Sequence, residues 1–152
     1  MVDPELIGVL ERAKQLAREY RALTGRPLGV TGEIAELEAA SILGLELAQV
    51  RQAGYDAIRH DAGGDWRIQI KGRCILPDSK PGQRLGGIDC AKDWDSAILV
   101  LLDADFNATA IYEADRAAVV AALSAPGSKA RNERNSLGIS KFKSIGRLVW
   151  SS

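Results

Sequence analysis

Residues 55–74 read Tyr-Asp-Ala-Ile-Arg-His-Asp-Ala-Gly-Gly-Asp-Trp-Arg-Ile-Gln-Ile-Lys-Gly-Arg-Cys. From Trp66 onward the stretch alternates: Trp66, Ile68 and Ile70 on one side, Arg67, Gln69, Lys71 and Arg73 on the other. A period of two belongs to a β-strand with one face on a core. Tyr55 to His60 is a second extended piece, and the glycines of Asp61-Ala62-Gly63-Gly64-Asp65 supply the positive φ that a tight hairpin needs. With Gly63-Gly64 as a two-residue loop, Ala62 pairs with Asp65 and Asp56 falls opposite Lys71. Cross-strand partners share a face, so Asp56, Gln69 and Lys71 would project together, and a slip of one residue would separate them.

Upstream, Leu6, Ile7, Leu10, Ala13, Leu16, Ala17 and Tyr20 form a helical stripe over Asp3 to Leu23, with Asp3 as N-cap and Pro4 at the first helical position. Thr24-Gly25-Arg26-Pro27 ends it. Thr31 is expected to cap a second helix, Glu33 to Leu43, closed by Gly44. Downstream, Leu76 to Asp95 is rich in Pro, Gly and charge and reads as a long loop. Ser96 to Asp103 is nearly all apolar, as a central strand buried on both faces should be. Ala108 to Glu113 pairs with it, and Ala114 to Leu123 is an alanine-rich helix. A basic polar stretch, Ser128 to Lys143, and a short apolar end at Leu148-Val149-Trp150 follow. This order predicts an α/β fold: a small central mixed β-sheet flanked by helices.

The 152 residues suit a single domain: an N-terminal helix and linker over 1–30, a core over 31–124 and a basic segment over 125–152. Twenty basic residues balance twenty acidic ones, so a nucleic-acid role must rest on local clustering. Cys74 and Cys90 form no CxxC pair and there is one histidine, which argues against structural zinc and for reduced thiols in a cytoplasmic protein. The start of the chain does not read as a signal peptide, and no apolar run approaches the ~20 residues of a membrane span.

The chemistry concentrates around the hairpin. Asp56 offers two carboxylate oxygens, Gln69 an amide oxygen, and the backbone of Ile70 a carbonyl. Hard oxygen donors carrying little charge, with room for water, suit Mg²⁺ (or Mn²⁺). Such an ion polarises a phosphoryl oxygen and lowers the pKa of a bound water. Lys71 would lie beside it, placed to orient that water or to stabilise charge developing on a phosphate. Glu33 and Glu36 share a helical face, and either can complete the site.

The segments Gly32-Glu33-Ile34-Ala35-Glu36, Gly54-Tyr55-Asp56-Ala57 and Arg67-Ile68-Gln69-Ile70-Lys71-Gly72-Arg73 together resemble the PD-(D/E)XK nuclease superfamily. That group includes restriction enzymes, Holliday-junction resolvases and transposon-end endonucleases. The resemblance spans Thr31 to Arg73 by motif and implies a restriction-endonuclease-like core. It implies Glu36 (or Glu33) as the helical acid, Asp56 as the main metal ligand, Gln69 as the variable ligand and Lys71 as the lysine. Tyr55 stands where members carry Pro, and Gln69 where most carry Glu or Asp. The activity implied is metal-dependent hydrolysis of DNA phosphodiesters; the alternative is an inactive nuclease-fold module that binds DNA or protein.

Taken singly, these residues have simpler readings. Gln69 and Lys71 are the solvent face of an amphipathic strand, Asp56 a turn residue, and Glu36 and Glu38 a helix surface, with Glu38 the plainest case. His60 reads as a strand-end surface residue, Gly86-Gly87 lacks the context of a phosphate-binding loop, and Phe142 reads as core. Arg73, Lys80 and Arg84, with Lys129, Arg131, Arg134, Lys141, Lys143 and Arg147, suggest a phosphate-binding face or a solvated surface. A DNA partner is expected, a membrane is not, and a homodimer or a partner subunit fits so small a chain.

Overall fold

The structure is a computed structural model that describes residues 2–49, 54–80, 82–127 and 136–152. Two helices come first. α1 (Pro4–Thr24) starts where the Asp3 carboxylate accepts the Glu5 N–H at 2.8 Å, and ends at Gly25, whose φ of 70° lets its N–H fold back to the Arg21 carbonyl. α2 (Thr31–Leu43) begins one residue earlier than a Thr31 cap would allow. The Ile34 N–H closes the first turn on the Val30 carbonyl, so Thr31 is already inside the helix and caps nothing with its side chain.

Six strands follow: β1 (Glu46–Leu47), β2 (Ala57–Asp61), β3 (Gly64–Cys74), β4 (Ser96–Leu102), β5 (Ala108–Asp115) and β6 (Arg147–Ser151). They form one sheet in chain order, every neighbouring pair antiparallel except β3 and β4. α3 (Arg116–Ser124) and α4 (Ile139–Ile145) complete an α/β fold with a mixed sheet flanked by helices. The parallel β3–β4 step is bridged by the 76–95 segment, whose described residues form no helix but are well packed: Leu85, Ile88 and Trp94 are buried.

The hairpin departs from its expected register. Asp61 pairs with Gly64, so the loop is Ala62-Gly63, not Gly63-Gly64. Two local preferences decide this. The Asp61 side chain accepts the Gly63 N–H at 2.8 Å, and the φ of 114° that only glycine adopts easily falls at Gly64. Ala57 then pairs with Ile68, and the Asp56 N–H reaches the Ile68 carbonyl, which places Asp56 beside Gln69 and not opposite Lys71. The displacement is two residues on β3; Gln69 and Lys71 keep a common face by the strand period, while Asp56 stands just before β2.

The sheet separates two cores. Ile68 and Ile70 of β3, with Ile98, Val100 and Ile111, pack under α1 and α2; Ala97, Leu99 and Leu101 pack on the other side with α3, α4 and the 76–95 segment. β4 is buried along its whole length, as its apolar run requires. α2 lies directly on β3 at Gly72, where an added Cβ would stand 2.3 Å from the Ala35 Cβ. This contact sets the height of α2 over the sheet.

Two expectations for the last quarter of the chain need correction. Part of the basic stretch is helical: Ile139 and Phe142, three residues apart, are buried beneath an exposed row of serine and lysine. The apolar end is the sixth strand, so the sheet runs past residue 124 to Ser151. Glu38 also departs from a plain helix surface. Its carboxylate takes the Lys14 ammonium at 2.7 Å and the Ala108 N–H at 2.9 Å, which fastens α1, α2 and β5 together.

Candidate functional site

Asp56 sits at the point where the backbone ladder between β2 and β3 stops. Beyond the Asp56–Ile68 hydrogen bond, its side chain takes over: Oδ2 accepts the Ile70 N–H at 2.7 Å. In a strand the N–H and C=O of one residue point to the same edge. The Ile70 carbonyl therefore lies on the β3 edge that β2 leaves uncovered, next to the Asp56 carboxylate.

Gln69 is held at the same place. Its Nε2 donates to the Gly54 carbonyl at 2.8 Å. A carbonyl only accepts, so this bond fixes the amide orientation and leaves Oε1 as the oxygen available to a ligand. Lys71, two residues on, shares that face and donates from Nζ to the Gly87 carbonyl at 3.0 Å. From α2, Glu36 comes near enough to Asp56 and Lys71 for their charges to act on its carboxyl. Glu33 lies one turn earlier and is exposed.

The charges of these groups act on one another. Burial, then the negative charges of Asp56 and Glu33, push the Glu36 carboxyl from its ordinary 4.5 up to about 7; Lys71 opposes them. Burial raises the Asp56 carboxyl too, against the Ile70 N–H and Lys71. Burial lowers the Lys71 ammonium, and Arg73 adds to this, while Asp56 and Glu36 hold its charge in place. Two carboxyls and one ammonium thus act on one another here, with Arg73 beside the lysine.

A raised carboxyl pKa means that the folded chain binds the proton more tightly than the unfolded one. The stability linked to Glu36 is therefore full below about 4.5 and is lost as pH rises through about 7. Glu36→Gln, which removes the charge, is expected to raise the melting temperature at about pH 8 by about 2–4 °C, allowing for partial exposure, and to leave it unchanged at about pH 4. Thermal denaturation of both proteins at the two pH values checks this.

Among the described residues, no three His, Cys, Asp or Glu side chains are arranged to hold a metal ion. A cation here would draw on two carboxylates, Asp56 and Glu36, with the neutral oxygens of Gln69 and Ile70, and otherwise on water. That donor set suits Mg²⁺, which keeps several waters, and not a fully caged ion.

The expected DNA-binding residues divide. Lys80, Lys141 and Lys143 are exposed, the last with its ammonium 5.5 Å from the Tyr112 ring centre. Arg73 and Arg84 are half-buried and donate to backbone carbonyls: Arg73 to Arg84 at 2.8 Å and Gly72 at 2.6 Å, Arg84 to Ser136 at 2.6 Å. Lys129, Arg131 and Arg134 lie outside the described residues. His60 is exposed between Glu46 and Asp65. The Gly54 and Gly87 carbonyls, which hold Gln69 and Lys71, belong to the site without any signal in the sequence. Both cysteines are free thiols, and no helix among the described residues is long and apolar enough to cross a membrane. No known protein family matches the chain, and no curated protein matches it in sequence.

Proposed function

We propose that this chain is a metal-dependent nuclease-fold protein of the PD-(D/E)XK type that hydrolyses DNA phosphodiester bonds in the cytoplasm. The observation that carries this reading is the convergence of Asp56, Gln69, the Ile70 carbonyl, Lys71 and Glu36 on the uncovered edge of β3. Asp56, Gln69 and Ile70 would hold Mg²⁺ or Mn²⁺, with Glu36 beside them. When bound, the ion supplies Lewis-acid polarisation of a phosphoryl oxygen and acidifies its water.

The protein's own groups have separate tasks. Asp56 is held through Oδ2 by the Ile70 N–H, and Oδ1 would take the cation. Glu36, ionising at about 7, can take a proton from water near neutral pH. Lys71, on leaving the Gly87 carbonyl, can donate to a non-bridging phosphate oxygen. Lys80, Lys141 and Lys143 would contact phosphates along the backbone, and Arg73 would add positive charge beside Lys71.

The test is divalent-metal-dependent cleavage of plasmid and branched DNA by the wild-type chain and by Asp56→Ala and Lys71→Ala. Cleavage that survives both substitutions overturns the assignment. A second reading, an inactive module of the same fold that binds DNA or protein, is favoured by the neutral Gln69 and by the contact that occupies Lys71. A chain that takes up no Mg²⁺ at millimolar concentration, yet retards DNA in a gel, belongs to that class.

A further inference from the structure

α1 carries more apolar surface than the domain buries. Its inner row, Leu10, Lys14 and Ala17, is buried against the core. Beside that row runs another: Leu6, Val9, Ala13, Leu16, Tyr20 and Leu23, spaced alternately three and four residues apart. At ~100° per residue these six fall in an arc of about 100° next to the buried one. The two nearest the core, Leu6 and Ala13, are partly covered. The other four are open: Val9 is 43%, Leu16 57%, Tyr20 37% and Leu23 86% exposed. Alternating steps of three and four are the spacing of a coiled-coil seam, and this seam lies beside the row that the domain buries, not on it.

We infer that this seam pairs with α1 of a second copy of the chain, antiparallel, to form a two-fold symmetric dimer. Charge selects the occupant. On the side of the seam away from the domain, the flanking residues are Glu5, Arg12 and Glu19. An antiparallel partner packs Leu6 against Leu23, Val9 against Tyr20 and Ala13 against Leu16, which overlaps the two helices along nearly their full length. The same register brings Arg12 toward Glu19 of the second copy, and Glu19 toward its Arg12, so the two-fold axis produces the attraction twice. A parallel pair would set these charges against the row already buried in the partner's own core. The seam is self-complementary, as a two-fold interface must be. It requires nothing of the nuclease site, and neither inference depends on the other.

Sedimentation of the full chain across about 1–100 μM, the range in which a small interface associates, reads the outcome. The wild type is expected to dimerise. Leu16→Glu, at an exposed position that leaves the folded domain intact by circular dichroism, is expected to weaken the dimer at least ~100-fold, as for a central anchor. Arg12→Glu and Glu19→Arg alone are each expected to weaken it several-fold, and the two together to restore it. A wild type that stays monomeric throughout overturns the inference, including the case where the face serves a lipid or another protein. A dimer indifferent to Leu16→Glu, or a double charge reversal that restores nothing, overturns it equally.

Discussion

Replacing Glu38 with alanine is expected to lower folding stability by about 3–5 kcal/mol, the cost of leaving a buried charge without its partner. The Lys14 side chain is 3% exposed and that of Glu38 12%, so their ion pair at 2.7 Å is hardly screened by solvent. The other partners of Lys14 are weaker: the Asn107 Oδ1 at 3.0 Å, and Glu11 at 3.3 Å with a side chain 61% exposed. The truncation also strips the Ala108 N–H of its acceptor at the first residue of β5. Urea unfolding of the wild type and variant measures the difference. A loss under about 1 kcal/mol would class the pair with ordinary surface bridges. The double variant Lys14→Met with Glu38→Leu removes both charges and should recover most of the loss, since apolar groups of similar size replace buried pairs well.

The same residue shows where reading the chain alone reaches its limit. Glu38 belongs to a glutamate-rich helix face, and one-dimensional periodicity separates solvent from core without distinguishing solvent from a buried lysine on another helix. The same limit hid β1, whose Glu46 and Leu47 are too few to carry a period, and α4, where an i, i+3 apolar pair is outnumbered by serines and lysines together. What could be read were elements whose pattern is long and whose ends carry their own chemistry. Asp3-Pro4 and Gly25 bracket α1, the apolar run of β4 marks the centre of the sheet, and the alternation along β3 assigns Gln69 and Lys71 to one face.

The site was legible to the same degree. Turn chemistry moved the hairpin register by two residues, so Asp56, just before β2, stands beside Gln69 and the Ile70 N–H and not opposite Lys71 as the Gly63-Gly64 loop predicts. Backbone partners were beyond reach. Nothing in the composition announces that the Gly54 carbonyl orients Gln69, or that the Gly87 carbonyl holds Lys71, because any residue offers a carbonyl. The apolar face of α1 makes the opposite point. Its stripe is evident in the chain, yet only the fold reveals that part of it is left uncovered.

Lys71→Ala is expected to reduce DNA cleavage by about 10²–10⁴-fold while leaving Mg²⁺ affinity within a few-fold of wild type. An ammonium cannot ligate a cation, and its removal takes away a positive charge that competes with one, so metal binding has no reason to weaken. What is lost is the donor aimed at charge that develops on the phosphate. Asp56→Ala should differ in kind. It removes the one carboxylate fixed to the β3 edge and leaves the Ile70 N–H without its acceptor, so metal uptake and cleavage should fall together. Calorimetric titration of Mg²⁺ beside single-turnover cleavage separates the two. Equal losses of binding in both variants would mean that Lys71 acts by holding the site together. Unchanged binding in Asp56→Ala would remove Asp56 from the ligand set and, with it, the assignment of the β3 edge as a metal centre.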